Sequence, residues 1–132
     1  MSKRLLIAAL LATLAGCQTS WSIHGQVASV PAGMAGQQND EVVPEPLGRA
    51  KVTLRCPTKS GKFHDRGVVA DSLGRFEFDG SGTGPSLECV VIAEAPGHTK
   101  SVTPMDEACA DDGEGEGRCV SATMLAELER LK

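Results

Sequence analysis

Tyrosine is missing from this chain of 132 residues, and aromatics of all kinds make up only 3% of it, as three Phe and one Trp. A hydrophobic core must therefore be built mainly from Val, Leu, Ile and Ala. Long apolar runs are also missing. The longest, LLIAALLATL over residues 5–14, falls well short of the roughly 20 residues a helix needs to cross a bilayer. Positive charge is not in excess: 13 Lys and Arg against 17 Asp and Glu leave a net charge of −4. That balance argues against a nucleic-acid partner, which wants a clustered basic face, and offers no basic patch for anionic lipid. Motifs that carry chemistry are scarce as well. No G-x-S-x-G elbow occurs. His24, His64 and His98 have no partner at a fixed spacing and read as solvated surface residues. The loop DDGEGEG (111–117) is rich in carboxylates, but its spacing does not match D-x-[DN]-x-[DN]-G, so it reads as a solvated, charge-extended loop and not a calcium site. No strand-to-helix pattern surrounds its G-x-G. No catalytic residue, metal or cofactor is expected.

The N-terminus carries a clear address. Lys3 and Arg4 precede the ten apolar residues, the basic n-region and h-region of a secretory signal. The run stops at Leu14-Ala15-Gly16-Cys17, which resembles the lipobox of bacterial lipoproteins at every position. The resemblance implies that residues 1–16 are removed and that Cys17 is lipidated, tying the protein to a lipid bilayer. Each buried methylene contributes about 0.8 kcal/mol, and several acyl chains hold a protein essentially for good. Gln18 in place of Asp after the cysteine implies the outer membrane, within the cell envelope. Residues 17–20 form a short tether, and three extended residues reach only about 10 Å. The folded domain, 21–132, is expected to sit against the membrane.

Four cysteines remain after Cys17, namely Cys56, Cys89, Cys109 and Cys119. An even number in an exported domain reads as two disulfides with three possible connectivities. Zinc would call for close C-x₂₋₄-C pairs, which these spacings do not provide.

Along the domain the hydrophobic period is two. Trp21, Ile23, Gly25 and Val27 alternate with polar residues, and Ala50, Val52, Leu54 and Cys56 share one face of a second strand. Residues 31–48, with three prolines and three glycines, read as a long loop. Phe63–Asp71 reads as a strand, Ser72-Leu73-Gly74 as a tight turn, and Arg75–Phe78 as its hairpin partner. Leu87–Ala95, closed by Pro96-Gly97, is the most apolar run of the domain, and 99–104 suits a short edge strand. The C-terminal segment reads as a strand from about Arg118 to Met124, with a terminal helix over 121–132 as its rival, since Met124, Leu125, Leu128 and Leu131 recur at near-helical spacing. Short strands with turn signals about every ten residues indicate an all-β sandwich.

The order IHGQV, PLGRAKVTL, VVADSLGRFEF, CVVIAEAPGH resembles the carboxypeptidase regulatory-like domain of the transthyretin-like (prealbumin) fold. The match covers about residues 22–102. It implies a small seven-stranded Greek-key β-sandwich. Its fold positions fall on Asp71, which can bond its own turn, Gly74, which supplies positive φ, Phe76 and Phe78, which send both rings to one face, and Gly97, which turns after a buried strand. His98 stands where the family has an aromatic residue. Within this arrangement Cys56 shares a face with Val52 and Leu54, and Cys89 with Val91 and Ala93, so Cys56–Cys89 is the preferred pair and Cys109–Cys119 closes the acidic loop.

The one enzyme of this fold, hydroxyisourate hydrolase, needs a histidine cluster with arginine and a C-terminal tyrosine-containing signature, whereas this chain ends ELERLK. The expected function is a membrane-anchored envelope lipoprotein that acts as a non-catalytic binding or structural module toward an envelope protein or polysaccharide. An accessory lipoprotein of a secretion or transport machine is the alternative, followed by a hydrolase of the hydroxyisourate hydrolase type.

Overall fold

The computed structural model describes residues 20–36 and 43–132; Cys17 and Gln18, with the signal reading, lie outside them. Among the described residues, nine strands make two stacked sheets, joined by one single-turn helix. In the first, β1 (Ser20–Val30) lies at the centre. β9 (Ser121–Glu129) runs parallel to it on one side and continues to β8 (Cys109–Asp111), while β5 (Arg75–Ser81) and the two-residue β2 (Glu45–Pro46) share its other side. The second sheet has the order β4 (Phe63–Val69), β3 (Lys51–Pro57), β6 (Val90–Glu94), β7 (Ser101–Pro104). Helix α1 (Met105–Ala108) follows β7 and buries Met105. Seven strands have four residues or more, and the sandwich expected from the pattern is present.

The core follows from alternation. Val52 and Leu54 of β3, Val91 and Ala93 of β6, Ile23 and Val27 of β1, and Ala122, Ala126 and Leu128 of β9 point between the sheets and are buried. Phe76 and Phe78 lie there too, with ring centroids 6.1 Å apart in an edge-to-face arrangement, the geometry that the charge distribution of the rings favours. Gly25 makes room for them. It sits opposite Phe76 in the ladder, and a Cβ there would come within 2.6 Å of two atoms of the Phe76 ring.

Two readings of the pattern are corrected. The segment Arg75–Phe78 is not the hairpin partner of β4. β4 pairs with β3 and β5 with β1, so the 70–74 turn is a corner that carries the chain from one sheet to the other. Burial of both Phe rings beside β1 pulls β5 across. The long loop ends in a short strand, β2, in which Pro46 is tolerated because it lies at an edge. The C-terminal segment is the strand that the pattern favoured over a helix, and it runs on past Met124 because the parallel ladder with β1 is unbroken from Ser121 to Glu129.

The corner turn is held as the motif implies. Asp71 Oδ1 accepts from the N–H groups of Arg75 and Leu73, both at 2.9 Å, Oδ2 accepts from the Arg75 guanidinium at 3.1 Å, and Gly74 has φ of 78°. The Arg75 N–H foremost, then the Leu73 N–H and the Arg75 side chain, hold the Asp71 carboxyl below its ordinary range. A carboxyl whose pKa is depressed on folding stabilises the fold above its unfolded value, about 3.9, and loses that contribution as pH falls through the folded value. Melting temperature measured from about pH 6 to about pH 2 should therefore decline less steeply at its acid end in Asp71→Asn than in the parent.

Candidate functional site

The two ends of the sandwich differ in chemistry. At the end where β1 begins lie both disulfides, Cys56–Cys89 and Cys109–Cys119, and the acidic loop. In that loop Gly113 N–H donates to Asp111 Oδ1 and Gly115 N–H to Asp112 Oδ1, both at 3.1 Å. The carboxylates are partly spent on shaping their own turns, and among the described residues no group of three or more His, Cys, Asp or Glu is arranged to hold a metal. Trp21 closes the mouth of the core here. Its ring covers Gly80, and the Arg66 guanidinium lies 5.7 Å from the Trp21 ring centre and 5.9 Å from that of Phe78 while donating to the Asp79 carbonyl at 2.8 Å. A cation close to both ring faces bridges the gap between β4 and β5.

At the other end, where β1 finishes, an open pocket of about 400 Å³ is lined by Arg49, Lys51, Glu94, Ala95, Pro96, His98 and Lys100. Lys51 Nζ lies 3.9 Å and Lys100 Nζ 3.8 Å from the two oxygens of Glu94. One carboxylate faces three cations, because the Arg49 guanidinium has no ion-pair partner among the described residues. Arg49 is also one of two non-glycine residues with positive φ among the described residues, at 62°. Its N–H donates to the Asp71 carbonyl at 3.3 Å, which ties its backbone to the corner turn. Such a conformation is costly for a side-chain-bearing residue and persists only where its surroundings impose it.

His98 forms the floor of this end, and the structure corrects its reading as a solvated surface residue. It is half-buried, and both ring nitrogens are bonded. Nδ1 donates to the Pro96 carbonyl at 2.8 Å, because a carbonyl can only accept, so in the neutral ring Nε2 accepts from the Ser29 hydroxyl at 2.8 Å. Ser29 is the one buried polar residue of the described core. The distance fits a nucleophile–base pair, but Ser29 does not line the pocket and lies mid-ladder between β2 and β9. The pair acts as a clasp that fixes the 95–98 turn onto β1. His24, by contrast, is exposed, 3.7 Å from Glu77, and His64 is exposed on β4.

The predicted positions therefore divide. Asp71, Gly74, Phe76, Phe78 and the four domain cysteines build the scaffold, with Phe78 and Cys89 fully buried, and Gly97 takes φ of 73° in the turn before His98. The basic pocket was not among them. The net charge of −4 hides it, since Arg49 and Lys51 lie far from Lys100 in sequence and meet it only because Lys51 pairs with Glu94 across β3 and β6. The outward parity of Lys51 and Glu94 is legible in the sequence; their pairing is not.

Neither a protein-family model nor a curated protein matches this chain. Among solved structures it is similar to the major plantain pollen allergen Pla l 1, at 15% identity and a TM-score of 0.52, with 85% of this chain and 94% of that chain covered. At that identity the likeness is one of fold alone, and it is consistent with the two-sheet sandwich described above.

Proposed function

We propose that the protein is a lipoprotein of the bacterial cell envelope, anchored through acylated Cys17 in the outer membrane, whose transthyretin-like, carboxypeptidase regulatory-like domain binds a partner without catalysis. The lipobox resemblance supports the anchor, and two disulfides suit an oxidising, extracytoplasmic compartment. The motif order and the two-sheet architecture support the family resemblance. The observation that carries the binding role is the position of the basic pocket. β1 starts three residues after Cys17 and runs 11 residues, so at about 3.3 Å per residue its far end stands roughly 33 Å from the anchored end. The Arg49, Lys51 and Lys100 side chains are thus turned away from the bilayer, where an envelope polysaccharide bearing carboxylate or phosphate groups is within reach.

The test uses the lipidated protein and its Lys51→Glu/Lys100→Glu variant, co-sedimented with purified acidic envelope polysaccharide. The parent should bind in a manner that weakens with added salt, and the variant should bind at least about tenfold less, as expected for exchanging two attractive charges for repulsive ones. Cys17→Ser should move the protein to the soluble fraction. Equal binding by parent and variant would refute the pocket, and unchanged membrane attachment in Cys17→Ser would refute the anchor.

A further inference from the structure

Four of the five sheet edges are blunted, each in a recognised way. β2 has two residues and contains Pro46, and β8 has three with a register shift between Cys109 and Asp111. β7 has four residues and ends in Pro104. Gly74 bonds Val27, so in β5 the alternate residues Arg75, Glu77, Asp79 and Ser81 turn their backbone groups outward, and these carry charged or polar side chains. β4 is the exception. It has seven residues, no proline and no bulge, and its ladder with β3 is continuous from Val69 to Phe63.

The register also says which backbone groups of β4 are free. Ala70 N–H donates to Ala50, and Thr58 N–H to Lys62, at opposite ends of the ladder. Even-numbered residues of β4 therefore bond to β3, and the N–H and C=O groups of Phe63, Asp65, Gly67 and Val69 point away from it. The side chains of these four lie on the outer face of the sheet. Phe63 and Val69 are among the most exposed large apolar residues described, at 64% and 68%. Phe63 is held by the Arg55 guanidinium, 5.5 Å from its ring centre, and Arg55 in turn bonds Asp65 through two 2.9 Å contacts.

We infer that β4 is a self-association edge, pairing antiparallel with β4 of a second copy about a two-fold axis at Arg66. The strand itself selects this occupant. Phe63 and Val69 stand equally far from Arg66, so this register sets Phe63 of each copy opposite Val69 of the other. It sets Asp65 opposite Gly67, and every outward N–H and C=O of the strand finds a partner. An axis one residue earlier would oppose Asp65 to Asp65, a like-charge pair, and an axis one residue later would oppose Asp65 to Val69. At the axis the two Arg66 side chains turn inward, each onto its own Trp21 and Phe78 rings. The interface is isologous and closed, as most soluble homodimers are.

The test is sedimentation velocity of the full chain, disulfides intact, over a range of concentrations, with Val69→Lys and Gly67→Pro as variants. Val69→Lys alters only an exposed side chain, so folding is not at issue, and Gly67→Pro removes one outward donor. The parent should show a monomer–dimer equilibrium, and both variants should raise the dimer dissociation constant at least tenfold. In the dimer the amides of Phe63, Asp65, Gly67 and Val69 should gain exchange protection, and the Phe63 ring should give intermolecular contacts with the Val69 methyls. A parent that stays monomeric to millimolar concentration, or a dimer unmoved by Val69→Lys, would overturn the inference. So would protection confined to another edge, or capture of a different protein's strand by β4 with no self-association.

Discussion

Phe78→Ala should lower the melting temperature by on the order of 20 °C. Truncating a buried Phe costs about 3–5 kcal/mol, because the lost transfer energy is joined by a cavity that neighbours only partly fill. In a domain of about 100 residues each kcal/mol shifts the melting point by about 4–8 °C. Phe78 is fully buried, and the neighbouring Phe76 ring, edge-to-face at 6.1 Å, is itself seated over Gly25. Phe76→Ala should follow closely, relieved slightly because Phe76 packs over Gly25 at the strand and not over a bulky neighbour. Phe63→Ala is the control. Its ring is largely exposed, so its removal should change the melting point by no more than about 2 °C. Calorimetry of the three variants ranks them, and a Phe78→Ala melting close to the parent would contradict the core as described.

Loss of the Cys56–Cys89 bridge is the second large effect. The bond spans 33 residues of chain and Cys109–Cys119 spans 10. Chain-entropy arithmetic gives roughly 4 kcal/mol for the first loop and about 3 kcal/mol for the second. Burial does not separate the two, because each bridge joins one fully buried cysteine, Cys89 or Cys119, to a half-buried one, Cys56 or Cys109, so loop length decides. The double variant Cys56→Ala/Cys89→Ala should therefore unfold at lower denaturant than Cys109→Ala/Cys119→Ala, with both below the parent. The opposite order, measured by urea titration without reductant, would show that the acidic loop and not the strand pair limits stability.

Both results rest on positions that local pattern made legible. Phe76 and Phe78 are two apart and flanked by charge, Asp71 and Gly74 have the spacing of a self-bonded turn, and Cys56 and Cys89 each close an inward-facing row. Such features depend on neighbours a few residues away. What depended on pairing was not legible. That β5 crosses to the other sheet is decided by where the Phe rings bury, and that β9 continues as strand past Met124 is decided by β1 beside it, against helical spacing in its own sequence. The same limit hid the pocket, whose charges come from two distant segments, and the Ser29–His98 bond, which joins residues 69 apart. His98 and Ser29 each look ordinary alone.

Because β1 is flanked along its length, by β5 and β2 on one side and β9 on the other, a pull on Ser20 along the strand does not peel bonds one at a time. Ladder bonds run across the strand direction, so the load is shared among rungs on both sides at once, as in a shear joint. A grip at the opposite end of the molecule would stretch the sandwich along this same axis. Forced extension is governed by the rate of unfolding rather than by equilibrium stability. The arrangement is that of a small load-bearing link, stiff along the one direction in which a fixed N-terminus would be tugged.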